Sequence, residues 1–253
     1  MLCFPETNPR VKLYTVDSAH PTNFILELCN LPENRIDITL ANAVIAALDH
    51  IEGILDNLTE EQKLLGGSLI TTSSGKFFSN GLDVEKSLNN PEFHKRFTPF
   101  LVRLMNFRLP TIAAINGHAF AGGCLLAFAH DYIVMNSERG FICMNEIDIG
   151  FPLPPGSPEV LKNRVSNPII LRKIINEGKR FSAQEGVDSG FIDYAVPKDK
   201  VMETAINLGY QVSKKAMNGG VTLGLMKIET NRIMNTTILT SVGTKTGSYF
   251  SKL

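Results

Sequence analysis

The sequence predicts an α/β fold with a helical C-terminal region. Three observations lead there. The first 75 residues read strand, strand, helix, strand. A second strand–helix–strand run occupies 111–135, and the apolar spacing from about 159 to 245 is mostly helical.

Val11 to Val16 and Asn23 to Leu28 are strand-like runs, the second ending in the turn-rich Asn30-Leu31-Pro32-Glu33-Asn34. Thr39 to Asn57 places Leu40, Val44, Ile45, Leu48, Ile51 and Leu55 on one helical face. Gly67 to Thr72 reads as a strand entering Ser73-Ser74-Gly75, and 77–85 as a loop. A helix follows from about Pro91 to Phe107, ending before Pro110. Thr111 to Ile115 is a short apolar strand that meets Asn116-Gly117-His118 and the small residues Ala119, Ala121, Gly122 and Gly123. An apolar helix over Cys124–His130 and strands over Asp131–Met135 and Phe141–Met144 come next. Residues 151–158 hold four prolines and a glycine and cannot stay in regular structure. Ser182-Ala183-Gln184-Glu185 is a capping box that opens a later helix. The pattern divides the chain into a core, 1–197, and a helical region, 198–253.

Composition narrows the function. With 25 basic and 25 acidic residues, the chain lacks the basic excess of a dedicated nucleic-acid binder. No window approaches 18 consecutive apolar residues, so no membrane span is expected. Cys3, Cys29, Cys124 and Cys143 form no Cys-x-x-Cys pair and no zinc pattern, which points to reduced thiols and no bound metal. The N-terminus lacks the order of a secretory signal. The chain closes on Ser251-Lys252-Leu253, a tripeptide that the peroxisomal import receptor reads at a free carboxyl end. Peroxisomal localisation is therefore expected.

Two glycine-rich loops follow strands: Ser79-Asn80-Gly81-Leu82-Asp83 and Ala121-Gly122-Gly123. Small residues let a backbone approach a ligand, and a helix start leaves N–H groups free. Two such groups from separate loops can bracket one oxygen, an arrangement suited to a thioester carbonyl that becomes enolate-like. The same glycines also suit close helix–strand packing and a tight turn, and spacing alone leaves both readings open. No G-x-G-x-x-G or Walker pattern is present.

SSGKFFSNGLDV followed by PTIAAINGHAFAGGCLLAFAHDYIV resembles the crotonase (enoyl-CoA hydratase/isomerase) superfamily. The resemblance covers roughly 10–200 and is strongest over 67–150. It implies a spiral of β-β-α turns with a helical C-terminal region that takes part in trimer formation, as a trimer or a dimer of trimers. It also implies an acyl-CoA substrate, with CoA arriving as part of that substrate and no further cofactor. By the same resemblance, Leu82 and Gly122 supply the two oxyanion N–H groups. Ser79, Asn80, Gly81, Leu82, Gly123, Leu125 and Phe151 face the substrate or its CoA, and carbonyls near Asn80 and Leu82 face the adenine.

Hydratases of the superfamily use two glutamates. This chain has Leu125 at the first position and Glu146 at the second, allowing a one-residue insertion after Asp131. One base without a partner resembles a Δ3,Δ2-enoyl-CoA isomerase, which moves a proton from C2 to C4. Burial among Ile147, Ile149, Phe151 and Leu125 is expected to raise the pKa of Glu146. Asp148 is its main rival and shares its side only if the segment is extended. The following loop, Pro152 to Gly156, carries no carboxylate, and Glu159 lies beyond it. The alternatives are a thioesterase or hydratase on the same fold, or a non-catalytic CoA-binding protein. His118 and Cys124 read as structural. Lys162, Arg164, Arg172, Lys173, Lys179 and Arg180 read as a solvated face rather than a phosphate site.

Overall fold

In the computed structural model, residues 1–87 and 90–241 are described, Pro91 and His94 by backbone alone. Ser251-Lys252-Leu253 lies outside the described residues. The main sheet has seven strands in the order β1-β2-β3-β4-β6-β8-β10. These are β1 (Leu2–Phe4), β2 (Val11–Thr15), β3 (Asn23–Leu28), β4 (Ser68–Ser73), β6 (Thr111–Ile115), β8 (Tyr132–Asn136) and β10 (Tyr194–Val196). β1, β2 and β3 pair antiparallel; from β3 onward every pairing is parallel. A second, parallel sheet contains β5 (Phe77–Ser79), β7 (His118–Phe120) and β9 (Ile142–Cys143).

The two sheets wind together. β4 then β5, β6 then β7, and β8 then β9 each give one strand to the large sheet and the next to the small one. This is the β-β-α spiral that the resemblance implies, and the fold is α/β with a helical C-terminal region. β5 and β7 stand where the sequence predicts loop. Each is three residues long, too short to show a period of two. β1 and β10 were equally invisible for their length.

The helices close the spiral. α1 (Ile38–Asp56) starts at Asp37, whose side chain accepts the Leu40 amide. It has the length and apolar content of a membrane span, but eight of its residues, Leu48 and Ile51 among them, are buried in the core. A fully buried side chain of this kind contributes roughly 1.5–3 kcal/mol. The short α2 (Glu60–Lys63) and α3 (Val84–Ser87) lead to α4 (Pro91–Met105), which packs on α1. α5 (Gly122–Phe128) runs through the core, buried along its whole length. α6 (Ser157–Arg164), α7 (Pro168–Ile175) and α8 (Ala183–Asp188) follow, the last opened by the expected Ser182/Glu185 capping box. α9 (Val201–Ser213) covers the outer face of the main sheet, its Val201, Ala205 and Leu208 meeting Ile25, Ile70 and Ile112. α10 (Val221–Thr230) and α11 (Arg232–Thr240) end the described chain.

Candidate active site

The first loop leaves β5 and is held amide by amide. Asn80 N donates to Glu33 O (2.9 Å), Gly81 N to Ser79 Oγ (3.3 Å) and Asp83 N to Ile36 O (2.9 Å). Between them, the Leu82 amide has no acceptor among the described residues. Gly81 has φ 79, a conformation that a side chain disfavours. A Cβ there would also come within 2.8 Å of the Ala121 side chain and 3.0 Å of the Gly122 nitrogen.

The second loop repeats the arrangement at the start of α5. Ala121 N donates to Cys143 O and Cys124 N to Ala121 O, both 2.9 Å. The Gly122 amide has no acceptor among the described residues. Ala121 holds φ 53, ψ −122, costly for a residue with a Cβ. A Cβ on Gly122 would lie 2.8 Å from Leu82 Cδ2 and 3.4 Å from Leu82 N. Glycine is thus required for the two loops to meet with their free amides side by side.

Glu146 comes off the small sheet just after β9. It opens a 3-10 turn, Glu146–Ile149, closed by Gly150 at φ 63. The side chain is 7% exposed, and its Oε2 has no hydrogen-bond partner among the described residues. Burial pushes its pKa up to about 7, opposed in part by its own backbone N–H. Because the segment turns rather than extends, Asp148 points elsewhere: it is exposed, and its carboxylate lies beside Gly178.

One cleft of about 220 Å3 takes in Glu146, Leu82, Ala121, Asn80, Phe151 and Arg35, together with Val84, Asn145 and Ile149; Gly122 follows Ala121 in the chain but does not itself line the cleft. Among the lining residues Glu146 is the one carboxylate. Arg35 is the one cation there, and nothing local in the sequence singles it out. Asn145 was likewise missed; its Oδ1 is buried without a partner beside Glu146.

The other expected residues fall around the cleft. Ser79 and Gly123 sit behind the loops, where a Cβ on Gly123 would lie 2.2 Å from Ser79 O, so this glycine serves close packing. Leu125 is buried in the core cluster and does not line the cleft. Ile147 is 56% exposed and does not line the cleft, against expectation; Ile149 lines it beside Glu146 although 62% of it is exposed. Glu146 lies close enough to Cys124 and Cys143 to add to the rise in both thiols. Both thiols are buried, which pushes Cys124 well above its ordinary pKa and Cys143 to about 12, so neither is a nucleophile at neutral pH.

His118 accepts the Phe141 amide on Nδ1 (3.2 Å) and packs among Phe77, Phe120 and Phe141. The basic set is mostly paired: Lys162 with Glu159, Arg172 with Glu177, Lys179 with Glu185. Arg164 binds Asp193 and the carbonyls of Asp131 and Phe191, a structural tie. A larger cavity, about 470 Å3, lies beyond the C-terminal end of α5 next to His130 and Lys227. Its buried polar groups are already satisfied, His130 by Leu126 O and Thr71 Oγ1. The smaller cleft, with the unpartnered Glu146 Oε2, is therefore the candidate active site.

Residues 33–243 match the family described as enoyl-CoA hydratase/isomerase. The peroxisomal enoyl-CoA delta isomerase 1 of Arabidopsis thaliana is 33% identical over 203 residues, 78% of this chain and 82% of that protein. The carnitinyl-CoA dehydratase of Salmonella typhi is 30% identical over 189 residues, 73% of this chain and 71% of that protein. The apo structure of an enoyl-CoA isomerase from Mycobacterium tuberculosis shares the fold, with a TM-score of 0.78 at 20% identity over 92% of this chain and 96% of that one. The chain belongs to the enoyl-CoA hydratase/isomerase, or crotonase, family.

Proposed function

We propose that this protein is a Δ3,Δ2-enoyl-CoA isomerase, shifting the double bond of a cis- or trans-3-enoyl-CoA to trans-2-enoyl-CoA in fatty-acid β-oxidation. The observation that carries the reading is the single carboxylate of Glu146, its Oε2 without a partner, in a cleft shared with Leu82 and Ala121, where the unused amides of Leu82 and Gly122 lie. The isomerase relatives from Arabidopsis thaliana support it.

The thioester oxygen accepts hydrogen bonds from Leu82 N–H and Gly122 N–H. A C2 proton of a thioester is far less acidic than a carboxylic acid, so ionised Glu146 removes it only if the resulting dienolate is stabilised. Two amide donors supply that, each worth roughly 3 kcal/mol. A carboxyl whose pKa is near 7 is a stronger base than one near 4.5 and is still substantially ionised at neutral pH. Protonated Glu146 then returns the proton to C4, and the carboxylate is regenerated. One group completes the cycle. Hydration in this superfamily uses a second carboxylate, and Glu146 is the one carboxylate among the described residues that line the cleft.

The reading extends to assembly and location. Val221, Leu225, Met226, Ile228, Ile233 and Leu239 leave an exposed apolar face on α10 and α11, which supports a trimer or dimer of trimers built through the 198–253 region. Import into peroxisomes through Ser251-Lys252-Leu253 is part of the same proposal.

The test is an assay of purified protein with trans-3-hexenoyl-CoA and, separately, trans-2-hexenoyl-CoA. Conjugated product from the first, without 3-hydroxyacyl product from the second, is the expected outcome. Free CoA from either substrate replaces the isomerase by a thioesterase, and no turnover of either removes the catalytic reading.

A further inference from the structure

The segment between β3 and α1 takes no part in the chemistry above, yet its polar groups are turned onto the first loop. Asn34 is buried with φ 50. It donates Nδ2 to Phe77 O (3.1 Å), and its carbonyl accepts Ser79 Oγ (2.7 Å). Glu33 makes three contacts. Its backbone carbonyl accepts Asn80 N (2.9 Å), its Oε1 accepts Asn80 Nδ2 (3.1 Å), and its Oε2 accepts Arg35 Nε (2.5 Å). Ile36 N donates to Gly81 O at 2.7 Å, and Arg35 Nη1 reaches Leu82 O at 3.5 Å.

The Gly81–Leu82 peptide is the unit that matters. In a trans peptide the carbonyl and the N–H point in opposite directions. Fixing Gly81 O on Ile36 N therefore aims Leu82 N–H away from the segment, toward the cleft. The segment is itself anchored: Asn30 Nδ2 holds Arg35 O (2.7 Å), and Arg10 Nη1 holds Asn30 Oδ1 (2.9 Å). Within this brace, Glu33 is the side chain that joins the two strands of contact, with Asn80 of the loop on one oxygen and Arg35, next to Ile36, on the other.

We infer that Glu33 is a positioning residue for the oxyanion site: its carboxylate, clamped between the Asn80 amide and the Arg35 guanidinium, fixes the peptide plane that presents Leu82 N–H to the thioester oxygen. This rests on Leu82 being an oxyanion donor. It does not depend on which acyl-CoA reaction follows. Displacement of such a group by about 1 Å costs on the order of 100-fold in rate, while a bound acyl-CoA retains its other contacts. Loss of Glu33 should then act on kcat far more than on KM. Glutamine keeps the acceptor for Asn80 Nδ2 and the side-chain length but turns an NH2 donor toward the Arg35 guanidinium, so it should rescue in part.

The experiment compares wild type, Glu33→Ala, Glu33→Gln and Glu146→Gln. One arm records the infrared carbonyl stretch of hexanoyl-CoA labelled with 13C at C1, a thioester that binds but has no double bond to move. Amide donors polarise the carbonyl and lower its frequency. Wild type and Glu146→Gln should show the full displacement, Glu33→Ala less than about half of it, and Glu33→Gln an intermediate one. In the other arm, with trans-3-hexenoyl-CoA, Glu33→Ala should lose roughly 10- to 100-fold in kcat with KM changed less than about threefold.

A Glu33→Ala protein with the full displacement and wild-type kcat overturns the inference. So does equal impairment of the Ala and Gln variants through KM alone. If Glu33→Ala shows no cooperative thermal unfolding, Arg35→Met, which releases one arm of the clamp, must show a partial loss of displacement; an unchanged band there overturns it. A wild-type band that shifts on binding without any isomerisation removes the proposed reaction and leaves Glu33 in its role. A wild-type band that does not shift removes both.

Discussion

Helix α5 has a carboxylate near each end, and the two are treated oppositely. Past its C-terminal end, Asp131 is tied down through one oxygen: Oδ2 accepts Thr111 N (2.7 Å), Thr111 Oγ1 (3.1 Å) and Lys227 Nζ (2.5 Å). Lys227 also donates to Leu109 O, so the cluster pins α10 to the base of β6 and β8. Near its N-terminal end, Glu146 is the more deeply buried of the two and has an oxygen with no partner. Leaving a buried polar group unsatisfied costs roughly 1–3 kcal/mol. The fold avoids that cost at one end of the helix and accepts it at the other. The lesson is that cavity size misleads: the larger cavity lies beside the satisfied carboxylate, the smaller beside the unsatisfied one.

Substitutions that exchange the two ends' behaviour test this contrast. The largest effect is expected from Glu146→Gln, which keeps shape and removes the base. kcat with trans-3-hexenoyl-CoA should fall by roughly 10^3- to 10^4-fold, near the upper range for general acid–base groups. Residual activity within tenfold of wild type would mean another group moves the proton. Next, Gly122→Ala puts a methyl 2.8 Å from Leu82 Cδ2 and should push the two amides apart, lowering kcat about 100-fold. Steady-state kinetics beside a thermal melt separate this from simple unfolding, since kcat should fall more steeply than stability.

The smallest effect on catalysis is expected at the other end. Lys227→Met leaves Asp131 with its two Thr111 donors and removes a buried cation, costing about 2 kcal/mol of stability. That is less than for a fully buried pair, because Asp131 is 29% exposed. Denaturant unfolding reads the loss, and kcat should stay within about twofold because the sites are independent. A Lys227→Met protein with unchanged stability but impaired turnover would reverse the assignment of the two ends.

How much of this was legible in the sequence depends on how local the signal is. β6 and β8 announce themselves through apolar runs, β4 through the β-branched Ile70, Thr71 and Thr72, and α1 through its period. β5 and β7 do not, because three residues between small and polar neighbours carry no pattern. The glycines at 81 and 122 were visible, but packing and catalysis predict the same residue; the free amides beside them separate the two. Glu146 was reachable through the family resemblance. Its competitor Asp148 drops out only once the backbone is seen to turn at 146–149. Glu33 reads merely as part of a turn, and Arg35 carries no local signal. Their partners Asn80 and Leu82 are 47 residues away, a separation at which sequence periodicity is silent.

The central claim is that Glu146 is a buried carboxylate whose raised pKa suits it to take a carbon-bound proton. The direct measurement is an infrared titration of the substrate-free protein, wild type minus Glu146→Gln, following the carboxyl band between pH 4 and 9. Burial disfavours the charged form, so Glu146 holds its proton below the midpoint and ionises above it; kcat/KM for a 3-enoyl-CoA should rise through the same window. The expected midpoint is about 7. A midpoint near 4.5, the ordinary value for this side chain, with kcat/KM flat across neutral pH, contradicts the account.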